Sequence, residues 1–359
     1  MEVHKVSGQV GTVYRPEDLQ RYQANEEDTG EGGLEAGELP CEDSAGQPSI
    51  GAVKQGHQTR TQTTEEGNPG TSEGVPGSGF KPSLAIKKKC TEFRKLVTAI
   101  KEYLVCPIPS TCDQIEWLAH PELGYYDRSD QDYKRAVNLI AREIQHMTFN
   151  QILDMTLSAP NPRWYSSQEN YYMDLHESTK VLTKMLKWQY GSLTKAIGFM
   201  NRMFDVCEKN QPKKNAVFIL GPPNSGKTFF VSMIAAFYLN VGHVANMNRN
   251  EHFPLNDCLN RRINVWNEPS IMPSAFDDVK MLAGGDPCPA NIKYQPHAVI
   301  QRTPLIFTGN TMPFDVNNEV WTSRIYFEEW KQCPLLQGIS KQLHPVAYAR
   351  FMTQHVFDE

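Results

Sequence analysis

Eight consecutive residues, Gly221, Pro222, Pro223, Asn224, Ser225, Gly226, Lys227 and Thr228, fit the pattern GxxxxGK[ST]. In such a loop glycines let backbone amides converge on phosphate oxygens, the lysine reaches the terminal phosphates and the hydroxyl ligates a metal. The loop follows the apolar run Ala216–Leu220 and precedes the apolar stretch Phe229–Leu239, the strand-then-helix setting this chemistry requires. ATP and Mg²⁺ are therefore the expected cofactors. Hydrolysis also needs a carboxylate opposite the loop. The run Ile263-Asn-Val-Trp-Asn267-Glu268 ends in one, 41 residues after Lys227. Glu268 could polarise the attacking water and, with Thr228 and Asn267, help hold the metal. A third run, Pro304–Thr308, ends in Gly309-Asn310, 42 residues beyond Glu268, where an amide can orient water against the terminal phosphate. Taken singly, an acid at a strand end is ordinarily a solvated edge residue and an Asn there a turn former. Their order and spacing behind a complete phosphate loop make them candidates.

These groups can converge only if one sheet carries them. The runs at Ala216–Leu220, Ile263–Trp266 and Pro304–Thr308 are brief and bounded, as buried parallel strands are, and helical stretches separate them. That alternation predicts an α/β domain over 211–359 with a central parallel sheet. Upstream, Phe93, Leu96, Val97, Ile100 and Leu104 recur at helical spacing until Pro107 and Pro109 stop them. A second helix is expected to start at Ser129, with Asp132 three residues on as in a capping box. Its buried stripe would be Tyr133, Val137, Ile140, Ile144 and Met147. Helices at about Glu169–Trp188 and Ser192–Cys207 complete a helical domain over 81–210.

Residues 1–80 are of another kind. They hold 14 acidic against 5 basic residues and 14 of the 24 glycines, with almost no apolar periodicity, so a disordered acidic tail is expected. The overall charge of −5 thus conceals a surplus of +4 in residues 81–359, which permits nucleic-acid binding without requiring it. The eight cysteines form no CxxC pair, which argues for reduced thiols in an intracellular protein and against a structural zinc site. The longest apolar stretch, Val231–Leu239, is far shorter than the roughly 20 residues of a membrane span. No basic-then-apolar leader opens the chain, so neither a membrane partner nor a secretory signal is expected.

The loop, the acid and the Asn, within about ninety residues, resemble the superfamily 3 helicases of small DNA viruses. Between loop and acid, Asn250-Glu-His-Phe-Pro-Leu-Asn-Asp-Cys258 resembles a stretch of parvovirus replication proteins. Lys280-Met-Leu-Ala-Gly-Gly-Asp286 followed by Ile292-Lys293-Tyr294 resembles the family's B′ motif, and Trp266-Asn-Glu-Pro269 the wording of the densovirus branch. The resemblance covers roughly 210–350 and implies an AAA+ type P-loop ATPase assembled as a ring, in all expectation a homo-hexamer. It would hydrolyse ATP between subunits and move single-stranded DNA 3′ to 5′ through its centre in viral genome replication, with host replication proteins as further partners.

The resemblance also assigns residues: Lys227 and Thr228 to nucleotide binding, Glu268 to Walker B, Asn310 to sensor 1. Lys293 falls in a hairpin that would grip DNA, with His297 as a neighbouring contact, and Arg324 matches a finger reaching the next subunit's ATP. The bland alternatives are a solvated surface for Lys293 and His297, and for Arg324 an ion pair with Glu328 four residues on. Relatives often have two acids at Walker B, where this chain has Asn267 first, and some have a second B′ lysine where this chain has Gln295. The family's His–hydrophobe–His nicking site has no counterpart: His120, His146 and His176 stand apart. Two other function classes remain open on these residues, a nucleotide-binding regulatory protein without unwinding activity and an RNA-virus ATPase of the same superfamily. Lys87-Lys88-Lys89 with Arg94-Lys95 reads either as a nuclear localisation signal, placing the protein in the host cell nucleus, or as a solvated helix face.

Overall fold

The structure, a computed structural model, describes residues 84–159, 171–293 and 295–357, with the side chains of 84–88 and 295–297 excepted. The acidic segment 1–80 lies outside these residues. Four longer helices and two shorter ones come first: α1 (Leu84–Tyr103), α2 (Ile115–Ala119), α3 (Gln131–His146), α4 (Phe149–Ser158), α5 (Leu175–Tyr190) and α6 (Leu193–Cys207). The apolar spacing of α1 and α3 explains their packing. Leu96, Ile100 and Leu104 face Tyr133, Ala136, Ile140 and Ile144 in one buried layer, with Phe93, Val97, Val137 and Met147 at its margin. Lys89, Arg94 and Lys95 are exposed on α1, while the side chains of Lys87 and Lys88 lie outside the described residues.

The cap of α3 differs from expectation. Asp130, one residue later than Ser129, accepts the Tyr133 amide at 2.8 Å, whereas the Ser129 amide and hydroxyl both donate to Asp127. A carboxylate is at least as good a cap as a hydroxyl and suits the helix dipole, so the later residue wins.

From Ala216 on, strands and helices alternate: β1 (Ala216–Leu220), α7 (Lys227–Phe237), β2 (Val241–His243), β3 (Ile263–Asn267), α8 (Phe276–Gly284), β4 (Cys288–Ile292), β5 (Gln295–Ile300), β6 (Leu305–Gly309), α9 (Glu319–Thr322), β7 (Ile325–Glu329) and α10 (Val346–Met352). Five strands form one parallel sheet in the order β2-β3-β6-β1-β7, while β4 and β5 pair antiparallel as a separate hairpin. The expected α/β architecture with a central parallel sheet is therefore present. The two edge strands β2 and β7, which carry little distinctive sequence, complete it.

Side chains alternate across the sheet with a period of two. Val217, Ile219, Ile263, Val265 and Ile306 point to the face covered by α5, α6, α7 and α10. Phe218, Trp266, Leu305 and Phe307 point to the other, covered by α8, the hairpin and Phe314 and Trp321. The helices before residue 210 share the first of these cores with the sheet, so chain order rather than a break in packing separates them. A buried ion pair fastens the layers: Arg262, 2% exposed and entering β3, meets Glu208 at 2.5 Å and donates to the carbonyls of Met147 and Cys207. Breaking such a pair strands a buried charge, so it fixes how the helices sit on the sheet.

Candidate nucleotide site

Parallel strands bring three chain ends to one edge of the sheet. The carboxyl ends of β1, β3 and β6 lie side by side in register, with Leu220 beside Gly309 and Asn267 beside Thr308. Ligands bind outside the carboxyl ends of strands in such sheets. Here a cleft of about 800 Å³ opens, lined on one side by Asn224 to Thr228, Glu268 and Asn310.

The loop is built to hold an anion. Gly226, at φ +89°, caps α7 in the left-handed region without any side-chain cap, so the first amides of an eleven-residue helix keep their free donors. A Cβ at Gly226 would lie 2.6 Å from the Leu336 methyl end and 3.1 Å from Met185 Sδ, side-chain ends that could shift, so it is the φ that calls for glycine. Lys227 is only 7% exposed, and its three N–H donors share four neutral oxygens within hydrogen-bond distance: the carbonyls of Gly221 (2.6 Å) and Pro222 (3.0 Å), Ser225 Oγ (3.1 Å) and Asn310 Oδ1 (3.1 Å). Burial pulls its pKa below the usual lysine value, with the Glu268 charge acting in the opposite sense. A nearly buried ammonium whose bonded partners are all uncharged, at an uncapped helix start, fits a polyphosphate well.

Glu268 has the shape of a site residue. It adopts φ +47°, uncommon for a residue with a Cβ, and its amide is held by the Thr308 carbonyl at 2.7 Å. One carboxylate oxygen accepts the Asn310 amide at 2.9 Å. Glu268, Asn310 and Lys227 are thus linked in one chain of hydrogen bonds, and Thr228 is exposed to the same cleft. Asn267 is not among the lining residues; its side-chain oxygen accepts the Thr308 hydroxyl at 2.7 Å. Among the described residues no three His, Cys, Asp or Glu gather into a metal cluster. A Mg²⁺ ion held by one carboxylate, one hydroxyl and substrate phosphates needs no such cluster.

The other wall of the cleft was not legible in the sequence. It comes from the segment after β7: Gln332, Cys333, Pro334, Leu336, Gln337 and Ile339. This stretch has neither helix nor strand period, and no motif marks it. Its place follows from β7 lying beside β1: the Trp330 amide donates to the Leu220 carbonyl, and the Cys333 amide to that of Asn224.

Lys293 and Arg324 stand away from this cleft. Lys293 is exposed at the turn between β4 and β5; its amide donates to Asn256 Oδ1 at 3.1 Å, and its ammonium lies 5.6 Å from the Phe253 ring centre. The 250–258 stretch therefore buttresses the tip of the hairpin. The His297 side chain lies outside the described residues. Arg324 precedes β7 at the opposite edge of the sheet, where its carbonyl accepts the Ala216 amide, about 13 Å along β1 from the loop. It does not pair with Glu328, which instead takes Arg202 at 2.7 Å and the Tyr190 hydroxyl at 3.0 Å. The reason is the strand: residues four apart stack on a helix, not along β7. The Arg324 guanidinium donates to the Val320 carbonyl and Ser323 Oγ and is half-buried.

Comparison with known proteins identifies the family. Residues 141–325 match the family described as parvovirus non-structural protein NS1. The chain is 35% identical over 198 residues to the initiator protein NS1 of Bombyx mori densovirus, covering 53% of this chain and 22% of that protein. It is 30% identical over 274 residues to that of Diatraea saccharalis densovirus, covering 73% and 50%. The chain thus spans half or less of the length of these relatives. Among solved structures, a JCV helicase with a bound acetamide compound aligns at 16% identity over 75% of this chain and 80% of that one, with a TM-score of 0.43.

Proposed function

The chain belongs to the parvovirus non-structural protein NS1 family, and from that premise we propose that it is an ATP-driven helicase motor of superfamily 3 type acting on single-stranded DNA. The observation that carries the reading is the Lys227–Asn310–Glu268 chain at the mouth of the cleft. ATP and Mg²⁺ supply a triphosphate and a charge-neutralising metal. The chain's own residues do the rest. The amides at the start of α7 and Lys227 hold the phosphates, Thr228 and Glu268 hold the metal, and Asn310 orients water. Glu268 is positioned to accept that water's proton.

Arg324 lies too far from the cleft of its own chain, so in this reading it acts on the nucleotide of a neighbour in a ring, a homo-hexamer by family likeness. An arginine's planar fork suits a transferring phosphoryl group, as a lysine's point charge does not. The buttressed hairpin with Lys293 would line the channel and track the DNA strand 3′ to 5′, and His297 is a second contact in this reading. By family likeness, the host cell nucleus is the compartment in which it would act. ATP turnover by Lys227→Ala tests the reading. Hydrolysis should be abolished while the fold persists; turnover near that of the unaltered chain would mean that the nucleotide site lies elsewhere.

A further inference from the structure

One side chain outside the phosphate loop touches both walls of the cleft. Gln189, in the last turn of α5, donates from Nε2 to the Ser225 carbonyl at 2.9 Å and to the Lys331 carbonyl at 2.8 Å. Its Oε1 accepts the Lys331 amide at 2.9 Å. A single carboxamide therefore pairs with both backbone groups of Lys331, as a neighbouring strand would, and fastens that segment to the loop. Around it, the Trp188 indole donates to the Gln332 carbonyl at 2.9 Å, and Lys331 lies over the Trp188 ring at 4.5 Å. Met185, one turn earlier on α5, approaches the Gly226 position from one side and Leu336 from the other.

We propose that Gln189 is a positioning residue for the nucleoside half of the nucleotide, holding the segment 331–339 as the wall that the base and ribose rest against. This deepens, and rests on, the reading of the cleft as an ATP site. The phosphate end of the cleft is defined by Lys227, Thr228, Glu268 and Asn310. The far wall offers Pro334, Leu336 and Ile339 as apolar surface with Gln332 and Gln337 as amides, groups suited to a flat base and a sugar rather than to phosphate. No side chain in that wall is tied to the loop by a side-chain bond of its own. The Cys333–Asn224 backbone bond and Gln189 make the join.

The test compares ATP with inorganic tripolyphosphate, which carries the phosphates without the nucleoside, on the full chain and on Gln189→Ala and Gln189→Glu. In Gln189→Ala, KM for ATP should rise about tenfold, the effect of one to two hydrogen bonds. The kcat should fall less than threefold, and competitive inhibition by tripolyphosphate should change less than twofold. Gln189→Glu keeps the acceptor for the Lys331 amide but turns a carboxylate on two carbonyls, so its KM should rise at least as far. An unchanged KM in both variants overturns the proposal, as does a lowered melting temperature with normal KM. A tripolyphosphate inhibition constant that rises in parallel with KM also overturns it, because Gln189 then holds only the phosphate loop. Failure of the ATP reading itself looks different: the unaltered chain then neither turns over ATP nor binds tripolyphosphate, and both inferences fall.

Discussion

Glu268 and Asn267, neighbours at the end of β3, face different surroundings. Glu268 opens on the cleft and Asn267 turns its oxygen to Thr308. Charge rather than shape activates water, so Glu268→Gln should bind ATP with affinity within a few-fold of the unaltered chain while hydrolysing it at least a hundredfold more slowly. Asn267→Ala removes a hydrogen bond at a strand end and should cost turnover less than tenfold. Single-turnover kinetics decide between them, and a reversed order of severity would relocate the general base. The contact residues at this scale were legible because each stands at the end of a short apolar run at a fixed distance from the loop. The Glu268 backbone at positive φ was not, since nothing in the residue type announces it.

The hairpin β4–β5 is the element proposed to hold DNA. Its tip is stiffened from outside, by the Asn256 bond to the Lys293 amide and by Phe253 beneath the ammonium. That is why the 250–258 stretch, with no catalytic group of its own, belongs with the hairpin. Lys293→Ala should weaken single-stranded DNA binding about tenfold at low salt. The slope of log affinity against log salt should flatten by roughly 0.7, the contribution of one single-strand phosphate. Fluorescence anisotropy of a labelled oligonucleotide across salt concentrations measures both, and an unchanged slope would remove Lys293 from the phosphate path. Sequence periodicity found the long helices and three central strands because their apolar patterns are local. It missed the α3 cap by one residue, and it missed the wall after β7 because that wall has no period. Only the pairing of β7 with β1 brings it to the cleft.

At the scale of the whole molecule the described residues form a sheet between two unlike layers, with the cleft proposed for nucleotide at one edge and Arg324 at the other. That separation predicts dependence on a neighbour. Arg324→Ala should assemble and bind ATP yet hydrolyse it slowly, since a finger supplied in trans contributes several orders of magnitude to phosphoryl transfer. Mixing it with Lys227→Ala subunits should restore part of the activity, because some interfaces then join an intact loop to an intact Arg324. No gain on mixing would place its role within its own chain, where its bonds to Val320 and Ser323 already hold it. The likeness of the 210–350 stretch to viral motors was readable from motifs, whereas the sharing of one core between the early helices and the sheet was not, because contacts such as Arg262–Glu208 join residues 54 apart. Whether the proposed nucleotide cleft and DNA hairpin belong to one motor is decided by the rate of ATP hydrolysis with and without single-stranded DNA. DNA should raise the rate several-fold, and RNA of the same length should raise it less. A rate indifferent to DNA across concentrations that saturate binding would contradict a single motor.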